Sequence, residues 1–183
     1  NVDPVKYRLK LLKRSPRHTE VLQLAAEEAG WGKAIEKDHY QGVSCHASFG
    51  TYVAEVAEVS VDGEGVVHVH RVVCAVDCGQ AVSPTTIKAQ MEGSIVYGLS
   101  ATLNGEITIE DGRVKQTNFH EFEVLRMDQM PKIDVHIINS SEAPSGVGEP
   151  GLPPIAPAVA NAVFAATGIR VRKLPLKPED LRS

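Results

Sequence analysis

An α+β fold is predicted by the way two hydrophobic periods succeed one another along the chain. Helical spacing rules residues 4–29, a partly mixed period of two takes over from Gln41 to Val76, and helical runs then return among turn-bounded strands. Hairpins and helices mix without a regular strand–helix–strand unit, which points away from a doubly wound parallel sheet. Of 183 residues, 43% are hydrophobic and 23% charged, enough apolar material for one domain with its own core. We read 1–183 as that single domain, with a helical hairpin over 1–34 and a sheet-and-helix part over 41–183.

Asp3-Pro4 places a capping carboxylate ahead of a proline at the first helical position, so a helix is expected over 4–14 with Val5, Leu9 and Leu12 inward. Ser15-Pro16 restarts a second helix through Ala29, stopped by Gly30. Trp31 packs at that helix end; stacking on a substrate is the alternative. Residues 32–40 read as a charged loop. Val43, Cys45 and Ala47 then alternate. Tyr52–Val61 and Val66–Val76 read as strands around the Asp62-Gly63-Glu64-Gly65 turn.

After the turn at Asp77-Cys78-Gly79-Gln80, Ser83-Pro84 opens a helix through Leu103. Gly93, Ser94, Gly98 and Ser100 recur on it at spacings that let another backbone come close. Gln90 falls near its apolar stripe, where an amide must find a partner; an exposed glutamine is the plain alternative. Asp111-Gly112 marks a second hairpin, with Phe119, Phe122 and Val124 continuing as strand. His120 and Glu121 read there as a polar strand face. Ile133–Ile138 is a strand, an Ala-rich helix ends at Gly168, Ile169–Leu174 is a last strand, and Lys177–Ser183 a polar tail.

The densest local signal is Ser145-Gly146-Val147-Gly148-Glu149-Pro150-Gly151-Leu152-Pro153-Pro154. One carboxylate sits in a turn of glycines, which permit unusual angles, and prolines, which fix them. A stiff loop holding one ionisable group suits catalysis, and equally suits a helix entry where Glu149 meets the helix dipole. The glycines also spell G-x-G-x-x-G. No strand runs straight into them, Arg170-Val171-Arg172-Lys173 occupies the place of the required acid, and prolines remove N–H donors, so a dinucleotide site is not predicted.

A net charge of −4 argues against nucleic acid as a partner. Lys6, Arg8, Lys10, Lys13, Arg14 and Arg17 gather at the first helix and read as the solvated side of an amphipathic helix. Nothing approaches the roughly 20 apolar residues of a membrane span. The chain opens without methionine, and we expect a piece of a longer protein; the compartment stays open. Three cysteines do not suggest a disulfide scaffold. Parity puts His68, His70 and Cys74 on one strand face, but C-x₃-C is not a zinc-finger spacing, so buried thiols and edge histidines are preferred to a metal set.

Ala89-Gln90-Met91-Glu92-Gly93 paired with Gly146-Val147-Gly148-Glu149-Pro150 resembles the molybdenum-binding subunit of the xanthine oxidase family of molybdenum hydroxylases. Within it, the branch containing isoquinoline 1-oxidoreductase and bacterial aldehyde and N-heterocycle dehydrogenases is most similar. Trp31-Gly32, Ser48-Phe49-Gly50, Val76–Pro84 and Leu152–Leu174 support the resemblance, which spans nearly the whole chain. It implies that Glu149 is the active-site base and that Gln90, with Gly148, binds the pterin. No residue of this chain would ligate the metal, which the pterin holds. The implied cofactor is a molybdopterin, in its cytosine dinucleotide form in bacterial members. The implied partners are the rest of the large subunit and a small subunit with 2Fe–2S clusters.

The implied reaction hydroxylates an electron-poor carbon of an N-heterocycle or aldehyde with water-derived oxygen. This portion alone is expected to be inactive. A non-catalytic interaction module with a structural Gly/Pro turn is the rival class. A concave surface shared by Glu149 and the helix of Gln90 favours the enzyme; opposite faces favour the module.

Overall fold

The computed structural model describes residues 2–182; Asn1 and Ser183, the outermost residues of the predicted hairpin and tail, lie outside it. Helix α1, Pro4–Leu11, starts as the sequence predicts: the Asp3 carboxylate accepts the Lys6 amide at 2.8 Å. It stops at Leu11 rather than continuing to residue 14. Pro16 disfavours helical geometry at Ser15, whose N–H instead closes a turn on the Leu12 carbonyl. Helix α2, Pro16–Glu28, ends at Gly30 with φ +65°, and the Trp31 amide folds back onto the Ala26 carbonyl. The Trp31 indole N–H donates to Asp3 at 2.9 Å and closes the α1–α2 hairpin. Ser15 does not cap α2; its hydroxyl lies 2.8 Å from His18 Nδ1.

Strands β1, Tyr40–Ser48, β2, Thr51–Val61, and β3, Val67–Asp77, form an antiparallel meander. A β-bulge interrupts β3: Glu58 pairs with Arg71 but Val59 with Val69, leaving His70 extra. Val67 and Val69 therefore join Val72, Cys74 and Val76 in one core, while His68 and His70 turn to the other face. That overturns the face shared by His68, His70 and Cys74, because one inserted residue reverses strand parity.

Helix α3, Pro84–Leu103, follows. The Asp111-Gly112 hairpin forms, but only as the two-residue strands β4, Ile109–Glu110, and β5, Arg113–Val114. Phe119, Phe122 and Val124 make no strand. Local bonds hold the backbone there: Glu121 accepts from both the amide and the hydroxyl of Thr117. Strand β6, Lys132–Ile137, pairs in parallel with Arg71–Val76 of β3, making a mixed sheet in the order β1-β2-β3-β6.

Helix α4, Ile155–Thr167, ends at Gly168 with φ +76°. The predicted strand Ile169–Leu174 is absent; Ile169 and Val171 pack against the core, and the Ile169 amide is taken by Thr167 Oγ1. The described part of the tail is not free either, since Leu181 is buried and Arg182 donates to the Glu64 carbonyl at 2.6 Å.

Three layers result. Val5 of α1 and Val21, Leu22 and Ala25 of α2 cover one face of the sheet over Val43, Ala54, Val56 and Val73. Met91, Ile95 and Leu99 of α3 and Ile155, Val159 and Val163 of α4 cover the other over Val53, Ala57, Val72 and Cys74. Small residues set the approach at part of the expected face: a Cβ on Gly98 would collide with Ile155, and one on Gly151 would sit 2.7 Å from Ser94 Oγ, whereas Gly93 is exposed and brings no backbone close. Among the described residues no helix is long and apolar enough to cross a membrane.

Candidate active site

At one end of the sheet four segments converge: the β1–β2 turn, the exit of β3, the chain leaving β6, and the 145–154 turn that enters α4. Phe49 and Gly50 make the β1–β2 turn with φ of 54° and 79°, both left-handed. At the exit of β3, Asp77 is buried. Arg17 of α2 donates to it twice, from Nε at 2.5 Å and Nη2 at 2.8 Å, while its guanidinium lies over the Tyr52 ring. The Arg17 hydrogen bonds hold the Asp77 carboxyl below the ordinary carboxylate range. Arg17 is thus part of the site's support and not of the solvated basic face.

The chain leaving β6 is laid along the β3 exit. Ile138 N–H donates to Val76, Gln80 N–H to Glu142, and Ser145 N–H to Cys78, at 2.8–2.9 Å. Behind this anchored strip, Gly146-Val147-Gly148-Glu149 crosses in front of α3, and Leu152 N–H turns back onto the Glu149 carbonyl at 2.9 Å. A concavity of about 680 Å³ opens there between the turn and α3. Gln90 and Glu149 both line it, and a Cβ on Gly148 would meet Gln90 Nε2 at 3.7 Å. Phe49 and Tyr97 flank it with exposures of 66% and 69%. Ser94, another lining residue, is occupied by its own helix, donating to the Gln90 carbonyl at 2.6 Å.

Sequence-predicted residues Gln90, Gly148 and Glu149 are therefore brought to one surface. Gln90 and Glu149 are both exposed there, so the Gln90 amide is not the buried group that its place on the stripe suggested. The other candidates lie elsewhere. Trp31 packs in the α1–α2 layer, His120 and Glu121 are exposed on the 115–124 segment, and Cys74 is buried with its thiol pushed up by burial. Among the described residues no three His, Cys, Asp or Glu side chains come together to hold a metal ion.

Thr51 and Tyr97 were not singled out from sequence, Phe49 entered only within a supporting motif, and Arg17 was assigned to the solvated basic face. Tyr97 was within reach, because positions 90, 93, 94 and 97 share one helix face. Phe49 and Thr51 become neighbours of the turn only through the β1–β2 hairpin.

The concavity suits a group that comes up against backbone. Glycines 93, 146 and 148 line it, and a Cβ added at Gly93 would meet nothing within 4 Å. With two exposed aromatic rings, one amide and one carboxylate around them, the donor set fits a flat, polar-edged cofactor and an acid–base step.

The chain belongs to the molybdopterin cofactor-binding domain family, whose profile matches residues 6–131. The motif resemblance to the molybdenum-binding subunit of the xanthine oxidase family holds accordingly. The chain is 39% identical over 97% of its length to the beta subunit of isoquinoline 1-oxidoreductase from Brevundimonas diminuta. It is 34% identical over its full length to a nicotinate dehydrogenase subunit from Pseudomonas putida. It spans 23% and 17% of those two relatives. Among solved structures, quinoline 2-oxidoreductase from Pseudomonas putida 86 superposes with a TM-score of 0.67 at 21% identity, over 71% of this chain and 18% of that one.

Proposed function

We propose that this chain forms part of the cofactor and substrate wall of a molybdenum hydroxylase, with Glu149 as the active-site base. The observation that carries the reading is the convergence of Glu149, Gln90 and Gly148 on one concavity, the arrangement expected of an enzyme and not of a structural turn. Gln90 would hold the pterin through an amide that offers a donor and an acceptor in one plane, and Gly148 would let it lie against backbone. When bound, the molybdenum cofactor supplies the redox chemistry that removes two electrons from the substrate. Glu149 accepts the proton released as water-derived oxygen is delivered to an electron-poor carbon.

The exposed Phe49 and Tyr97 suit a planar N-heterocycle or an aromatic aldehyde. The relatives' names, isoquinoline 1-oxidoreductase and nicotinate dehydrogenase, support that substrate class. We further infer the cytosine dinucleotide form of the cofactor, a small 2Fe–2S subunit as electron acceptor, and 1–183 as one unit of a larger subunit. The isolated chain is expected to be inactive.

In the full-length parent protein, Glu149→Gln should lower turnover by about 10²–10⁴-fold, the range for loss of a general base, while molybdenum content stays at the wild-type level. Retained turnover with normal metal content removes Glu149 from the base role.

A further inference from the structure

We propose that Thr51 is a positioning residue for Glu149, its buried hydroxyl clamping the glycine turn from the β1–β2 hairpin; this rests on the functional reading above. Thr51 opens β2 immediately after the Phe49-Gly50 turn and is fully buried. Its Oγ1 donates to the Gly146 carbonyl at 2.7 Å and lies 2.7 Å from Ser145 Oγ. A hydroxyl has one proton, so with that proton on Gly146 the Ser145 hydroxyl donates to Thr51 Oγ1. Both bonds are made across more than 90 residues of sequence, to the two residues that lead into Gly148 and Glu149.

The turn needs an external clamp because Gly146 and Gly148 impose no backbone preference of their own. On the upstream side, the strip is already fixed. Ser145 N–H is bonded to Cys78, and Asp77, held by Arg17, accepts the Gly79 amide at 3.0 Å. A Cβ on Gly79 would collide with the Ala143 carbonyl, so the β3 exit and the strip are in direct contact. Gly50 is nearly as close, its added Cβ falling 3.2 Å from Ser145 Cβ. Between these anchors and Gly148, which abuts Gln90, Val147 packs against the core and Thr51 supplies the last side-chain hydrogen bond among the described residues. Displacement of a catalytic group by about 1 Å costs on the order of 10²-fold in rate.

The test uses the full-length parent protein carrying its cofactor. Thr51→Val keeps the shape and deletes both hydrogen bonds; Thr51→Ser keeps them. In Thr51→Val, amide hydrogen exchange at residues 145 and 152, whose N–H groups bond to the Cys78 and Glu149 carbonyls on either side of the turn, should accelerate about tenfold while β2 and β3 amides stay unchanged. Its kcat should fall about 10–100-fold with KM within about threefold, and Thr51→Ser should restore both readouts. Wild-type exchange and kcat in Thr51→Val, or a loss that Thr51→Ser does not restore, overturns the clamp.

Glu149→Gln in the same assay separates the two ideas. If it retains turnover, the base assignment fails, and the exchange data alone still decide the clamp. Should Thr51→Val not fold, Ser145→Ala removes one arm of the clamp, and unchanged exchange at residues 145 and 152 overturns the proposal.

Discussion

Around the β1–β2 turn and the exits of β3 and β6, polar side chains bond to backbone or fix a group that does. Arg17 fixes Asp77, Asp77 accepts Gly79, and Thr51 holds Gly146. Around the β2–β3 hairpin, at the opposite end, Asp62 accepts the Glu64 and Val66 amides, but the histidines there bond other side chains. His39 Nδ1 lies 2.8 Å from Glu58, Ser60 Oγ 2.7 Å from His70 Nε2, and His68 3.1 Å from Asp62, with the His39 and His70 rings stacked. The far end has more titratable groups, yet they are engaged with each other. The near end has fewer, and its anchored backbone leaves a carboxylate and an amide facing a concavity. A site is thus distinguished less by how many ionisable groups gather than by whether the chain around them is held by something else.

Arg17→Ala tests that contrast with the largest effect on stability. It leaves Asp77, whose side chain is 2% exposed, as a buried charge without its cation. A cost of about 2–3 kcal/mol is expected, less than for a fully buried pair because Arg17 is itself 24% exposed. Hydrogen exchange should rise at 77–80 and 138–149 and stay unchanged at the β2–β3 hairpin. A uniform rise along the chain would show that the two ends are not held separately. The pH dependence has a definite sign. Asp77's folded pKa is depressed by the Arg17 bonds, so its contribution is present above its unfolded pKa, about 3.9, and is lost as pH falls through the folded value. Arg17→Ala should flatten that acid limb.

Glu55 sharpens the comparison from between the two ends. It sits in β2 opposite Ser44 and Cys74, is fully buried, and neither carboxylate oxygen has a hydrogen-bond partner among the described residues. Being unengaged does not make it a site, because no concavity reaches it. Burial raises its pKa well above the ordinary value, so the folded state keeps the proton that the unfolded chain gives up. Stability from this group is complete below the unfolded pKa, about 4.3, and declines as pH rises toward the folded value. Glu55→Gln should raise unfolding free energy by about 1–2 kcal/mol at pH 8 and by nothing at pH 4. An equal effect at both pH values would mean that packing, not ionisation, is responsible.

Much of this architecture was legible in the residues. The caps and stops at Asp3, Gly30 and Gly168, the extents of β2 and β3 and the close approach at Gly98 rest on local chemistry, and each lies where spacing put it. Gln90, Gly148 and Glu149 were picked out by motif resemblance, and the fold brings them to one concavity. What was missed depends on pairing partners distant in sequence. The bulge at His70 reverses a parity that holds only for an unbroken ladder, and Ile169–Leu174 looks like a strand but finds only packing. Thr51 and Arg17 carry no local mark at all, since their partners lie 95 and 60 residues away.

Gly93 provides the finest discrimination between an end built to hold something and one that is merely closed. It stands in the interior of α3, where glycine costs about 0.5–1 kcal/mol relative to alanine. Within this chain nothing demands it, because an added Cβ would meet no atom within 4 Å; Gly98 on the same helix, by contrast, is required by Ile155. A methyl group at 93 would project into the concavity shared by Gln90 and Glu149. Gly93→Ala should therefore stabilise the isolated 183-residue chain by that same margin in thermal unfolding. In the full-length protein it should lower the molybdenum and pterin retained through purification. A stabilised variant with undiminished cofactor would place the pterin away from this helix face and return Gly93 to the class of unexplained helix glycines.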